Sequence, residues 1–278
     1  MRSLKPILER FYREYDFEGR IPHDPIQFPH QYRNPEDIAV SGFIASCFAY
    51  GRVDLFKPVI KKILSAMGES PSAFLMDFRV KRHGRLFSFK YRFNETDDII
   101  CQLFIIHKLL RKYRTIEDAF KRHYNPDDAD TGNGISGFIN EVLSIDTSAV
   151  YGKNIHPPGL TQFFPSPVNG SACKRINLFL RWMVRDRDID FGIWKWIPRN
   201  KLVIPLDTHV ARISRCLGLT GRISSDWKAA VEITEALKVF DPEDPLKYDF
   251  ALCHHGISRL CRGSKGTTEC SNCVFAGR

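Results

Sequence analysis

Eight stretches of this chain carry apolar residues at helical spacing, at 38–49, 54–68, 99–113, 135–143, 173–184, 208–217, 226–240 and 245–255. Several open on a residue that caps a helix. Asn34 precedes Pro35, Glu36 and Asp37, which places a cap, a first-turn proline and two acids at the positive end of the helix dipole. Thr96-Asp97-Asp98 introduces the strongest run, and Gly218 is a natural stop for the helix that starts at Thr208. One stretch differs. In 86–93, Phe87, Phe89, Tyr91 and Phe93 alternate with Ser88, Lys90 and Arg92, and this period of two predicts a short extended strand. The expected fold class is therefore mainly α with a short β element. The chain has no internal repeat and no polar linker, so a two-lobed architecture must come from the chain crossing between lobes.

With 43% hydrophobic and 26% charged residues in 278, the composition is that of a soluble globular protein. No apolar stretch reaches the ~20 residues of a membrane span. The densest, 99–106, is interrupted by Gln102, and the charged N-terminus lacks the apolar core of a secretory signal. The reading is a cytoplasmic protein with no membrane partner. The net charge is +9, and it is unevenly spread. Residues 174–222 hold eleven Lys or Arg against four Asp, and residues 79–92 hold six basic residues and no acid. Clustered positive charge suits a phosphate backbone. Of the eight cysteines, Cys253, Cys261, Cys270 and Cys273 crowd into the last 26 residues. In a reducing compartment such a group is a set of thiols or metal ligands rather than disulfides.

Two segments concentrate the chemistry. The first runs Pro165-Ser-Pro-Val-Asn-Gly170-Ser-Ala-Cys-Lys174-Arg-Ile-Asn177. It reads as a tight turn feeding a helix N-terminus, where backbone N–H groups suit a phosphate. A lysine in the first helical turn opposes the dipole, so it either points into water or has a task. The second runs Ile204-Pro-Leu-Asp207-Thr-His-Val210, with Arg212 and Arg215 three apart on the helix that follows. Taken alone, Asp207 is a helix cap and Lys174 a solvated surface residue.

Together, in this order, the two segments resemble the helix–hairpin–helix (HhH-GPD) DNA glycosylase superfamily of the endonuclease III type. That family follows a glycine-containing hairpin with Lys-x-x-Asn and then an apolar–Asp–Thr/Val–His segment. Lys174-Arg-Ile-Asn177 and Leu206-Asp207-Thr208-His209-Val210 match those positions. Val168-Asn169-Gly170-Ser171 departs from the compact hairpin by carrying one glycine. The 33 residues from Lys174 to Asp207 look like the long connection of archaeal 8-oxoguanine glycosylases. The chain is also similar to an uncharacterised bacterial family with the same Lys-Arg-x-Asn-Leu-Phe-Leu-Arg-Trp-Met pattern.

The resemblance implies a base-excision enzyme acting on double-stranded DNA that contains a damaged, for instance oxidised, base. Lys174 would attack the deoxyribose C1′ and expel the base, and the Schiff base would permit strand cleavage by lyase chemistry. Asp207 would stabilise the positive charge developing at the sugar. Asn169, Gly170, Ser171, Arg175, Arg212 and Arg215 would hold DNA. Phe48 or Tyr50 would act as the wedge, and Trp194 and Trp196 would either stack on a base or pack an insertion onto the core. The family often carries a [4Fe–4S] cluster near this point of the chain. Cys253, Cys261, Cys270 and Cys273 are the ligands available here, for such a cluster or for zinc, unless they are unligated thiols. The implied architecture is two helical lobes. Residues 36–198 would form the central lobe ending in the hairpin, and 1–35 with 199–278 the second, so that Lys174 and Asp207 face one another across a cleft in a monomer. The alternatives are a non-catalytic nucleic-acid-binding protein of the same fold and a metal-centred scaffold.

Overall fold

A computed structural model describes residues 4–258 and 273–275. Helix accounts for 63% of it, and no strand forms among the described residues. The first helices are α1 (Leu4–Arg13), α2 (Pro35–Phe48), α3 (Val53–Met67), α4 (Pro71–Met76), α5 (Val80–His83) and α6 (Thr96–Tyr113). They are followed by α7 (Ile116–Lys121), α8 (Gly132–Ser144), α9 (Ser148–Tyr151) and α10 (Pro158–Thr161). The last are α11 (Lys174–Val184), α12 (Thr208–Leu217), α13 (Trp227–Lys238) and α14 (Asp249–Ile257).

Local chemistry starts and stops these helices where the sequence says it should. The Asn34 side chain accepts from Glu36 N, Asp207 from His209 N and Val210 N, and Asp226 from Ala229 N. Gly218 ends α12 in the left-handed conformation at φ 73°. The expected strand is absent. Phe87 closes a 3-10 turn (Gly84–Phe87), and Tyr91 and Asn94 satisfy each other's backbone groups across a tight turn through Arg92 at φ 51°. Alternation alone does not make a strand when no neighbouring strand supplies hydrogen bonds.

The chain divides into two compact units, residues 1–20 with 167–278, and residues 21–166. The larger division falls at 166/167 rather than near 198, so Lys174 and Asp207 belong to one unit instead of two lobes. The reason lies in what 174–198 bonds to. Phe191 N and Trp194 N donate to the carbonyls of Trp182 and Met183, folding the insertion back on α11. Arg181 of α11 and Arg185, which caps its C-terminal end, pair with Asp249 and Asp244. In this unit α1, α12, α13 and α14 enclose a core of Leu4, Leu8, Val210, Ile213, Ile233, Leu237 and Leu252.

The unit of 21–166 is built around α2 and α6. Both are buried along most of their length, including Phe43, Phe48, Ile99, Leu103 and Ile106. Helices wrapped on nearly all sides read as apolar throughout, as these do.

Candidate active site

Lys174 is the first residue of α11, and the turn before it determines where it points. Gly170 has φ 75°, a conformation that favours glycine, and it donates from its N to Pro167 O. Its carbonyl accepts from Trp227 N, and Ser171 bridges to Asp226, so the turn is tied to the start of α13. Cys173 then takes φ 49° and ψ 36°, a left-handed conformation that is strained for a side chain larger than glycine. Its backbone N donates to Ser171 Oγ at 3.2 Å. Asn177, buried one turn on, donates from Nδ2 to Ala172 O at 3.1 Å and closes the turn against the helix.

Asp207 ends an extended apolar run, 202–206, and caps α12. One carboxylate oxygen, Oδ1, accepts from His209 N at 2.9 Å and Val210 N at 2.8 Å. That leaves Oδ2, which lies 3.6 Å from Lys174 Nζ. The Cys253 thiol of α14 donates to the same Oδ2 at 3.5 Å. Lys174 keeps 32% of its side chain exposed and Asp207 14%, so the amine is reachable while the carboxylate is largely covered. The cap and the ion pair use different oxygens, and both roles coexist.

The neighbouring thiol competes poorly with the lysine. Burial pushes Cys173 up to about 12, against which Ser171 and Arg175 pull only weakly. At neutral pH it is a protonated, inert thiol.

Beneath the site lies a buried group of charges that periodicity and motif reading did not reveal. Arg181 meets Asp249 at 2.5 Å and Asp190 at 3.3 Å. Arg185 meets Asp190 at 2.5 Å, Asp244 at 2.8 Å and Asp188 at 3.0 Å. Asp188 also accepts from the Tyr12 hydroxyl at 2.8 Å. Burial raises Asp249 to about 6 against the pull of Arg181, with the charge of Asp207 adding to the rise. A sequence signal did exist: arginines at 181 and 185, four apart in and just after the apolar run of α11, are too costly to bury without partners.

The other expected site residues are placed as follows. Asn169 and Gly170 are exposed at the turn, and Ser171 and Arg175 are half-buried. Arg212 donates to Gly256 O at 3.0 Å, and Arg215 donates to the carbonyls of Arg222 and Ile223 at 2.9 and 2.6 Å, so both guanidinium groups brace the protein itself. Trp194 is buried and stacked on Trp196 at 6.2 Å, with Phe179 edge-on at 5.2 Å, which is packing of the insertion onto the core. Phe48 and Tyr50 belong to the other unit. Phe48 is fully buried against Phe163 and Tyr91, and the Tyr50 hydroxyl donates to Asn94 Oδ1. Phe48 thus has no face left for a base.

Cys261 and Cys270 lie outside the described residues. Cys253 and Cys273 both pack against the core of their unit, and the Cys253 thiol is turned toward Asp207. Among the described residues no group of three or more His, Cys, Asp or Glu is arranged to hold a metal ion.

A family model described as "Protein of unknown function (DUF2400)" matches residues 24–258. No curated protein matches the chain, and no solved structure does.

Proposed function

This chain belongs to the DUF2400 family of proteins of unknown function, and for it we propose the activity of a DNA glycosylase with AP lyase chemistry, on a fold of the helix–hairpin–helix type. The observation that supports this reading is the meeting of Lys174 and Asp207 at 3.6 Å. Each stands at the N-terminal end of its own helix, and 33 residues separate them in the chain.

In this reading a damaged base is turned out of the duplex and its deoxyribose comes against Lys174. The Nζ lone pair forms a bond to C1′ as the C1′–N bond to the base breaks, and the base leaves with that electron pair and takes up a proton. Loss of the amine proton and opening of the sugar ring give the Schiff base. Abstraction of a C2′ proton then expels the 3′ phosphate by β-elimination. Asp207 contributes charge at a fixed place. Because two backbone N–H groups hold Oδ1, Oδ2 faces the developing positive charge with little reorganisation. The half-exposed amine admits a sugar, and the exposed turn at Asn169 and Gly170 offers backbone to a phosphate. No step needs a metal ion.

The test is borohydride trapping on duplexes that each carry one lesion, among them 8-oxoguanine, thymine glycol and an abasic site, with Lys174→Ala alongside. An adduct formed by the wild type and lost in the variant is the expected result. An adduct that survives in Lys174→Ala moves the nucleophile elsewhere, and no adduct on any duplex overturns the lyase reading.

A further inference from the structure

The basic run at 79–92 plays no part in the Lys174 site, and it sits in the other unit. There the segment is anchored from within. Phe78 and Phe87 are buried beside Phe74, and the His83 ring packs on Phe74 at 5.1 Å and Phe78 at 5.8 Å. Gly84 is buried with its Cβ direction toward Ile100. With Phe78 and Phe87 turned inward, Arg79, Lys81, Arg82 and Arg85 are all left exposed, and Leu86 with them. None of these four has an acidic partner within ion-pair distance among the described residues, whereas Lys90 pairs with Glu95 and Arg92 lies over the Tyr50 and Phe93 rings.

Four cations therefore stand on the N-cap, the single helical turn and the 3-10 turn that continues it, within roughly 10 Å of axial rise. Their field registers on the group between them. His83 is held below its ordinary value first by burial and then by Arg82 and Arg79. Unneutralised charge at this density is costly to keep unless it meets a polyanion, and duplex DNA presents one negative charge per ~1.7 Å of axis. An acidic membrane is the poorer match, because a membrane-surface helix offers a continuous apolar face, whereas here Phe78 and Phe87 are buried in the core and Leu86 is the one large exposed apolar side chain of 79–87.

We propose that Arg79, Lys81, Arg82 and Arg85 form a contact surface for the phosphate backbone of duplex DNA, distinct from the Lys174 site. The choice of DNA as the polyanion rests on the glycosylase reading. The basic surface itself does not depend on any lysine chemistry.

The experiment compares the full-length wild type with a variant carrying Arg79→Ala, Lys81→Ala, Arg82→Ala and Arg85→Ala. A control of equal charge change carries Arg10→Ala, Arg13→Ala, Arg20→Ala and Lys228→Ala, all exposed positions elsewhere. The probe is an undamaged duplex oligonucleotide, titrated over a range of salt. The expected result is a rise of about ten-fold or more in Kd and a slope of log K against log salt that is shallower by up to about 3.6, from roughly 0.9 per lost phosphate contact. The control should keep the wild-type slope, and thermal melting should show all three proteins folded. An unchanged slope, an equal loss in the control, or no duplex binding by the wild type overturns the proposal. So does a loss confined to vesicles of phosphatidylserine and phosphatidylcholine. Borohydride trapping of the same proteins separates the two readings. If the wild type forms no adduct but the patch variant still loses salt-sensitive binding, the Lys174 chemistry fails and the DNA surface stands.

Discussion

Arg181 and Asp249 meet inside one unit, guanidinium to carboxylate at 2.5 Å, with 2% and 3% of their side chains exposed. They link α11, which begins with Lys174, to α14, which carries Cys253 against Asp207. The pair therefore sets how two walls of the candidate site stand to each other.

Replacing Asp249 should show in the pH dependence of stability. Burial raises its carboxyl from 3.8 to about 6. Between about pH 4 and 6 the folded chain holds a proton there that the unfolded chain releases. This group's contribution is thus fully present below about pH 4 and is lost as pH rises through 6. Asp249→Asn removes that dependence. The stability of the wild type minus that of the variant, read by urea denaturation at several pH values, should fall by about 1–3 kcal/mol from pH 4 to pH 7. A difference that rises with pH in favour of the wild type would contradict the burial-driven shift.

Gly256 lets α14 pack tightly on α12. A Cβ there would stand 2.7 Å from His209 Cβ and 3.2 Å from Ile213 Cδ1. Gly256→Ala should push the two helices apart at a cost of about 1–3 kcal/mol, measured as a lower urea midpoint. Because Asp207 opens α12, the same variant should also trap less DNA at equal protein.

Asp207 has separable roles. Asn caps as well as Asp does, whereas Ala forfeits about 1 kcal/mol. Asp207→Asn should keep wild-type stability within a few tenths of a kcal/mol and still lose about a hundred-fold or more in the rate of adduct formation. Chemical denaturation and single-turnover trapping on one preparation give both numbers. Equal trapping by wild type and Asp207→Asn would leave only the cap.

Phe48 is a core residue by its surroundings, and its truncation should be felt as instability. Phe48→Ala is expected to cost about 3–5 kcal/mol. At a temperature where the variant is folded, its preference for lesion-containing over undamaged duplex should equal that of the wild type.

What the sequence determined by itself is local. Asn34, Asp207 and Asp226 cap the helices they precede, and Gly218 ends α12, because a cap or a stop involves residues within three or four positions. The same locality misled at 86–93, where alternation was present but a strand needs a partner that none of the described residues brings. The tertiary structure decided the rest. It brought Lys174 and Asp207 within 3.6 Å across 33 residues, and added Cys253 from 46 residues further on. It seated Arg181 and Arg185 on aspartates as many as 68 positions away, and it buried Phe48 while leaving Arg79, Lys81, Arg82 and Arg85 in water. Spacing along the chain carries no record of such pairings, since they follow from how whole helix faces pack, and each face is chosen by apolar burial rather than by the polar residues it brings together.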